Sequence, residues 1–245
     1  MNAFRLGYVP GVMPAKWASR WAERETRTPL ELVQLPLARQ REALLDKEVD
    51  AALVRLPATP HDEWEMFSMI ALYRETSVVA MSVDHYLSAA EDLICDDLHD
   101  EPLWQSADDP LHWRDDTRPG TAPAYAEYTP PQGAGDAIEI VATGAGVVIL
   151  PLSLARLHHR KDVTFRPLQD GPEAPVGIAW LAERSTNDDP LLDTIVGIVR
   201  GRTAQSSRGT SAATKEVSAP KKEKKPVRQN LRRAHNSSKN RRPRR

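Results

Sequence analysis

The 245-residue sequence has one cysteine, Cys95, and only 6% aromatic residues. A single thiol excludes an intramolecular disulfide, a CxxC redox pair and a cysteine-rich zinc site. No stretch approaches the run of about 18 apolar residues that a membrane-spanning helix needs. The opening MNAFRLGYVPGVMPAKW lacks both a basic head and an uninterrupted apolar segment, so neither secretion nor membrane insertion is expected and the cytoplasm is the expected compartment. Catalytic signatures are also missing: there is no nucleophile elbow, no HExxH and no Ser/His/Asp set with an interpretable arrangement. The sequence is not expected to encode an enzyme, and it calls for no cofactor.

Aromatic residues are absent altogether from residues 201 to 245, which hold 15 Lys+Arg against 2 Asp+Glu. Residues 1 to 200 hold 18 against 32, so a formal net charge of −1 conceals a −14 part joined to a +13 part. The basic part runs through KKEKKPVRQNLRRAHNSSKNRRPRR and cannot bury enough apolar surface to offset the entropy of ordering it, so a disordered arm is expected. A polyanion is its natural partner. Lys221, Lys222, Lys224, Lys225, Arg228, Arg232, Arg233, Arg241, Arg242, Arg244 and Arg245 are the candidate nucleic-acid contacts. Such binding is strong, salt-sensitive and sequence-blind, because nothing in the arm fits a groove. RNA or an acidic protein surface would serve equally well, and the arm folding back on the acidic part or merely solubilising it is the competing reading.

The first 200 residues are long enough for one core or two small lobes. Phe4 to Val9 reads as a strand, and Met13, Trp17 and Trp21 recur every four residues as one face of a helix with Pro14 in its first turn. Leu30 to Leu35 is a second strand, Leu37, Leu44 and Leu45 mark a helix reaching Lys47, and Val49 to Val54 is a third strand. This alternation predicts βαβ units, a parallel sheet and an α/β fold. Trp64 to Glu75 and Thr76 to Val83 read as further strands. The spacing of DAIEIVATG predicts a helix capped by Asp136 and ended by Gly144, followed by a strand over Val147 to Leu150 and a short helix opened by Pro151. Val163 to Arg166 and Val176 to Leu181 read as strands, and Pro190 to Arg200 as a closing helix.

Several tempting motifs fail on context. Gly144-Ala145-Gly146 is preceded by a helix and followed by a strand, and Ile149 occupies the third glycine position, so it is no dinucleotide fingerprint. Gly133-Ala134-Gly135 has no strand before it. Glu91 to Asp116 carries ten acidic residues against one base; His99, His112, Asp96, Asp97, Asp108 and Asp109 lack recognised ligand spacing, so a solvated acidic surface is expected rather than a metal site. His158-His159 reads as a helix end.

Three segments nevertheless carry a resemblance. FRLGYVPGVMPAKWASRWAERETRTPLELVQ, LLDKEVDAALVRLP and IEIVATGAGVVILPLSLAR together resemble the effector-binding domain of LysR-type transcriptional regulators over nearly all of residues 3 to 200. The resemblance implies a type 2 periplasmic-binding-protein fold: two α/β lobes joined by two crossing strands, with a small-molecule cleft between them and a homodimer formed through the first helix and second strand. Lobe one is expected over 1–75 and 180–200, lobe two over 76–179, with crossings near Thr76 to Met81 and Val176 to Leu181 and a tail over 201–245. Full members begin with a winged helix-turn-helix, and this sequence starts at the effector domain's first strand. A freestanding sensor, a start within a longer gene and a remnant are the alternatives.

The resemblance, with the rule that ligands of open α/β sheets sit beyond strand carboxyl ends, nominates Gly11 and Val12, Leu35, Pro36 and Leu37, Arg55 and Pro57, Thr76, and Thr143, Gly144 and Gly146. Exposed N–H groups at helix starts and glycines that permit close backbone approach suit such a cleft. Arg55 is the strongest candidate for an anionic ligand, since a guanidinium presents a bidentate fork; a surface salt bridge is its competing role. Trp104 is placed to stack on a ligand, or else in a core or dimer contact. The family often places Ser or Thr in the first two loops. Here these read Pro10-Gly11-Val12 and Pro36-Leu37, which puts a carboxylate effector in doubt and leaves an empty or degenerate cleft open. Three functions follow: a small-molecule sensor, a solute-binding protein, or a nucleic-acid accessory whose tail acts alone.

Overall fold

The computed structural model describes residues 3–56, 64–111, 119–121, 129–186 and 188–201. Pro57, His112, Trp113 and every candidate nucleic-acid contact from Lys221 to Arg245 lie outside the described residues.

The first 55 residues form the expected βαβ units. Strand β1 (Phe4–Tyr8) lies between β2 (Leu30–Gln34) and β3 (Ala51–Arg55) and runs parallel to both. The returns are made by α1 (Ala15–Arg24) and by a 3₁₀ turn (Leu37–Arg39) followed by α2 (Glu42–Leu45). The single helix expected from Leu37 to Lys47 is thus broken in two, and Lys47 closes it in the left-handed region at φ 57°. All five residues of β3 are buried, the pattern of a parallel strand covered on both faces.

The remaining strands depart from the parallel expectation. Strand β4 (Phe67–Glu75) begins at Phe67 rather than Trp64, and β8 (Ala174–Leu181) lies between β3 and β4, antiparallel to both, giving the order β2-β1-β3-β8-β4. A second sheet is fully antiparallel: β5 (Ser77–Ser82) sits between β6 (Val147–Pro151) and β7 (Val163–Pro167). The chain leaves the first sheet through Thr76 alone and re-enters it between Pro167 and Ala174. Because it re-enters where it left, the first residue of β8 sits opposite the last of β4, Ala174 against Glu75, and the two must run in opposite directions.

Each sheet is covered on both faces. On the first, Trp21 of α1 packs with Phe4, Leu6, Ile178 and with Leu192, Ile195 and Ile198 of α6 (Pro190–Val199), while Leu35, Leu44, Val49, Trp64 and Phe67 cover the other face. On the second, Ile138 and Val141 of α3 (Ala134–Ala142) and Leu154 of α4 (Leu152–Leu157) cover one face; Leu87, Leu93, Leu98, Leu103 and Leu111 cover the other. The described part of the acidic stretch, from Glu91 to Leu111, is therefore held down by its leucines. One of its acids, Glu101, is buried, accepting hydrogen bonds from Tyr86 Oη at 2.5 Å and His85 Nε2 at 3.1 Å. Helix α3 starts two residues before Asp136, with Gly133 at its N-cap, and the Asp136 carboxylate accepts from the Gln132 N–H instead of capping. Gly144 ends that helix at φ 82°, as expected. No helix among the described residues is long and apolar enough to cross a membrane.

Between β8 and α6 lies α5 (Ala182–Thr186). Asp189 caps α6, accepting from the Leu191 and Leu192 N–H groups at 3.0 and 3.1 Å and from Arg184 Nε at 3.0 Å. Burial pushes its carboxyl up, but the Leu192 N–H and the Arg184 guanidinium outweigh burial and hold it below the usual carboxylate range. A depressed carboxylate stabilises the fold above its unfolded pKa, and that contribution is lost as pH falls through the folded value. Asp189→Ala is expected to cost about 1–2 kcal/mol near neutrality. The deficit, measured by urea unfolding, is expected to shrink as the pH falls below about 4.

Candidate functional site

The carboxyl ends of β1, β3 and β6 converge on one side chain. Arg55, the last residue of β3, is 1% exposed although it carries a full charge. Its backbone is fixed by Gln40, whose side-chain amide accepts from Arg55 N–H at 3.0 Å and donates to Arg55 C=O at 3.2 Å. Its guanidinium donates from Nη1 to Glu75 Oε2 at 2.9 Å and from Nη2 to Ser153 Oγ at 3.0 Å, with Pro10 C=O further off at 3.5 Å. Ser153 Oγ donates in turn to the same Glu75 oxygen at 2.7 Å, closing a ring of three side chains. Arg55 belongs to the first sheet, Glu75 ends the strand that leaves it, and Ser153 sits in the helix after β6 of the second. The ring therefore ties the two sheets together where the chain crosses between them. Arg55 Nε is buried without a hydrogen-bond partner among the described residues.

Gly11 belongs to this knot by necessity. At φ 85° it adopts a conformation costly for other residues, and a Cβ there would lie 2.4 Å from Ser153 Oγ and 3.1 Å from Arg55 Nη2. Other nominated residues are placed differently. Val12 is buried in the first sheet's core, Leu35 in its opposite face, and Leu37 packs partly against the former. Pro36 is exposed and precedes the 3₁₀ turn. Thr76 is exposed at the crossing, its carbonyl accepting from the Leu152 N–H at 3.0 Å. Trp104 is buried among Ile138, Val141 and Leu150, and its Nε1–H donates to Ala145 C=O at 3.0 Å.

Thr143, Gly144 and Gly146 precede β6, whereas Ser153 follows it, so a strand spanning roughly 13 Å separates them from Arg55. They lie at a helix C-terminus, where carbonyls rather than N–H groups point outward. Gly146 is required by close packing: at φ 138° its Cβ would lie 2.2 Å from Pro102 C=O. Ser153 carried a readable signal, a hydroxyl just past a strand's carboxyl end. Glu75 carried none, as an acid ending an edge strand. A cavity of about 250 Å³ lies at the other end of the first sheet, lined by Arg5, Lys47, Asp50 and Arg184 among others.

A family model described as the LysR substrate binding domain matches residues 4–202. The chain belongs to this family, and its two sheets with helices on their faces are the type 2 periplasmic-binding-protein-like arrangement. The HTH-type transcriptional regulator AlsR of Bacillus subtilis (strain 168) is 26% identical over 200 residues, an overlap of 74% of this chain and 60% of AlsR. The chain thus matches somewhat under two thirds of that regulator's length. Among solved structures, the reduced OxyR regulatory domain from Pseudomonas aeruginosa is 21% identical and superposes with a TM-score of 0.57, covering 81% of this chain and 95% of that one. The BenM effector binding domain with its effector benzoate is 17% identical, with a TM-score of 0.62 and coverage of 86% and 96%. OxyR is known in reduced and oxidised forms. In this sequence Cys95 is the only cysteine, and burial together with the Asp170 carboxylate pushes its thiol up to about 12, far from the thiolate that redox chemistry uses.

A buried charge stripped of its partner is worse than either the pair or two apolar residues. Arg55→Met is expected to destabilise the fold by about 3–5 kcal/mol, and Arg55→Met combined with Glu75→Leu by clearly less, in a urea-unfolding double-mutant cycle.

Proposed function

We propose that this chain is the sensory part of a transcriptional regulator: a non-catalytic domain that binds a small organic effector between its two sheets and reports occupancy through their relative position. The observation that carries this reading is the convergence of three strand carboxyl ends on a buried guanidinium shared with the second sheet. An effector there touches both sheets at once, so its differential affinity for two arrangements shifts their populations. AlsR is a transcriptional regulator and BenM binds an effector on this fold, which supports the reading. A library of small organic molecules screened by thermal shift tests it: a true effector at 100 times its Kd is expected to stabilise by about 2.7 kcal/mol. The absence of any stabilising compound across metabolite classes would count against a sensor.

The domain further fits a homodimer formed through α1 and β2. Among the described residues, strand β2 is the edge of the first sheet, an arrangement that leaves backbone groups along its outer side open to pairing, and Leu32 on it is 38% exposed. Sedimentation equilibrium is expected to show a dimer that Leu32→Arg weakens; a monomeric parent would refute this assembly. The cytoplasm is the compartment such a regulator works in.

The basic segment beyond residue 201 is proposed to hold the domain near nucleic acid without choosing a sequence. If 6 to 10 of its bases meet phosphates, log K falls against log salt with a slope of roughly −5 to −9, and affinity drops about 10³- to 10⁵-fold between 50 and 200 mM salt. Binding of random-sequence DNA followed across that range is expected to vanish when residues 202–245 are deleted. Undiminished affinity would refute the electrostatic role.

A further inference from the structure

We infer that the effector is an uncharged molecule that presents a hydrogen-bond acceptor to Arg55, with Glu75 acting as the residue that selects against anions. The inference rests on the reading of the inter-sheet region as the effector site.

A guanidinium that is 1% exposed needs one counter-charge, and Glu75 supplies it at 2.9 Å. Ser153 completes the neutralised unit, accepting from Arg55 and donating to the same carboxylate oxygen. A second anion brought to this guanidinium would meet the Glu75 carboxylate in a poorly solvated setting, where like charges repel far more than in water. What Arg55 still lacks is an acceptor, not a charge. Its Nε–H is buried and unpartnered among the described residues, a state that costs free energy until an oxygen lone pair reaches it.

The surrounding loops point the same way. A carboxylate site is ordinarily built from several convergent N–H and hydroxyl donors. Here Pro10 and Pro36 have no N–H to give, and Pro10, Gly11, Val12, Pro36 and Leu37 carry no hydroxyl. Of the two hydroxyls at the crossing, that of Ser153 is committed to Glu75, and that of Thr76 follows Glu75 directly on an exposed residue. A carbonyl of a carboxamide, ketone or ester needs only the single donor that Arg55 Nε provides. Ser153 Oγ lies 3.0 Å from Arg55 Nη2, so an acceptor entering beside the guanidinium competes with a contact between the two sheets.

Matched pairs of carboxylic acids and their primary amides test this directly, among them benzoate with benzamide, nicotinate with nicotinamide, and phenylacetate with phenylacetamide. Each is titrated into the whole chain and into Glu75→Gln, with ligand-observed NMR as the readout and circular dichroism confirming the fold. With the parent chain, amides are expected to bind at least about tenfold more tightly than their conjugate acids. In Glu75→Gln the acids are expected to gain about tenfold relative to the amides. Acids that bind the parent as well as or better than amides would overturn the inference without touching the sensor reading, and this comparison stands even if the variant does not fold. An acid-to-amide ratio unchanged in a folded Glu75→Gln would equally overturn it. If neither member of any pair binds either folded protein, the effector-site reading fails, and this inference fails with it.

Discussion

Burying the Arg55 guanidinium constrains everything around it. Desolvating a permanent cation is affordable only if a carboxylate and further acceptors meet it in good geometry, and these come from two separate places, Glu75 at the end of β4 and Ser153 in the helix after β6, while Gln40, from the segment between β2 and β3, holds the Arg55 backbone. The one-residue crossing at Thr76 sets Glu75 beside the second sheet, and the glycine at position 11 leaves room for Ser153 to reach Arg55. A bulkier residue at Gly11 would push Ser153 off the ring, since the clash falls on the hydroxyl itself.

The same ring bears on function. In a two-lobed binding fold the lobes must be held near each other without ligand yet remain separable. A polar contact of three side chains does both, because water can replace its hydrogen bonds when it opens, whereas an apolar interface would have to expose surface outright. The hydrophobic mass is kept out of this junction. Among the described residues, four buried clusters lie on the faces of the two sheets, and none bridges Arg55 to Ser153. Each sheet therefore has its own core.

Much of the fold was legible because periodicity is local. Phe4 and Leu6, the tryptophans of α1, the apolar run of β3 and the segment from Ile138 to Pro151 announce their elements through residues next to one another. Errors fell where tertiary context outweighs pattern. Trp64 joins the core beside Phe67 instead of opening β4, and the α3 start slipped because Asp136 resembles a cap but accepts from Gln132. The site was legible only in part. Arg55 was visible as a guanidinium at a strand end, and Gly11 as a glycine after one. Thr143, Gly144 and Gly146 drew attention because glycine pairs mark close approach, yet only Gly146 makes one, to Pro102 at the end of β6 opposite Ser153, and a Cβ on Gly144 would meet nothing within 4 Å.

The amino-acid sequence by itself determined the α/β class, the family, the charge division near residue 200 and the exclusion of an intramolecular disulfide, for these depend on composition, spacing and local alternation. Only the tertiary structure decided that Arg55 is buried rather than at the surface, that Glu75 is its counter-ion and that Ser153, 98 positions away in sequence, completes the pair. Partners so distant leave no mark in local pattern, because what selects them is desolvation of a charge in three dimensions, and that arises only when the two sheets meet.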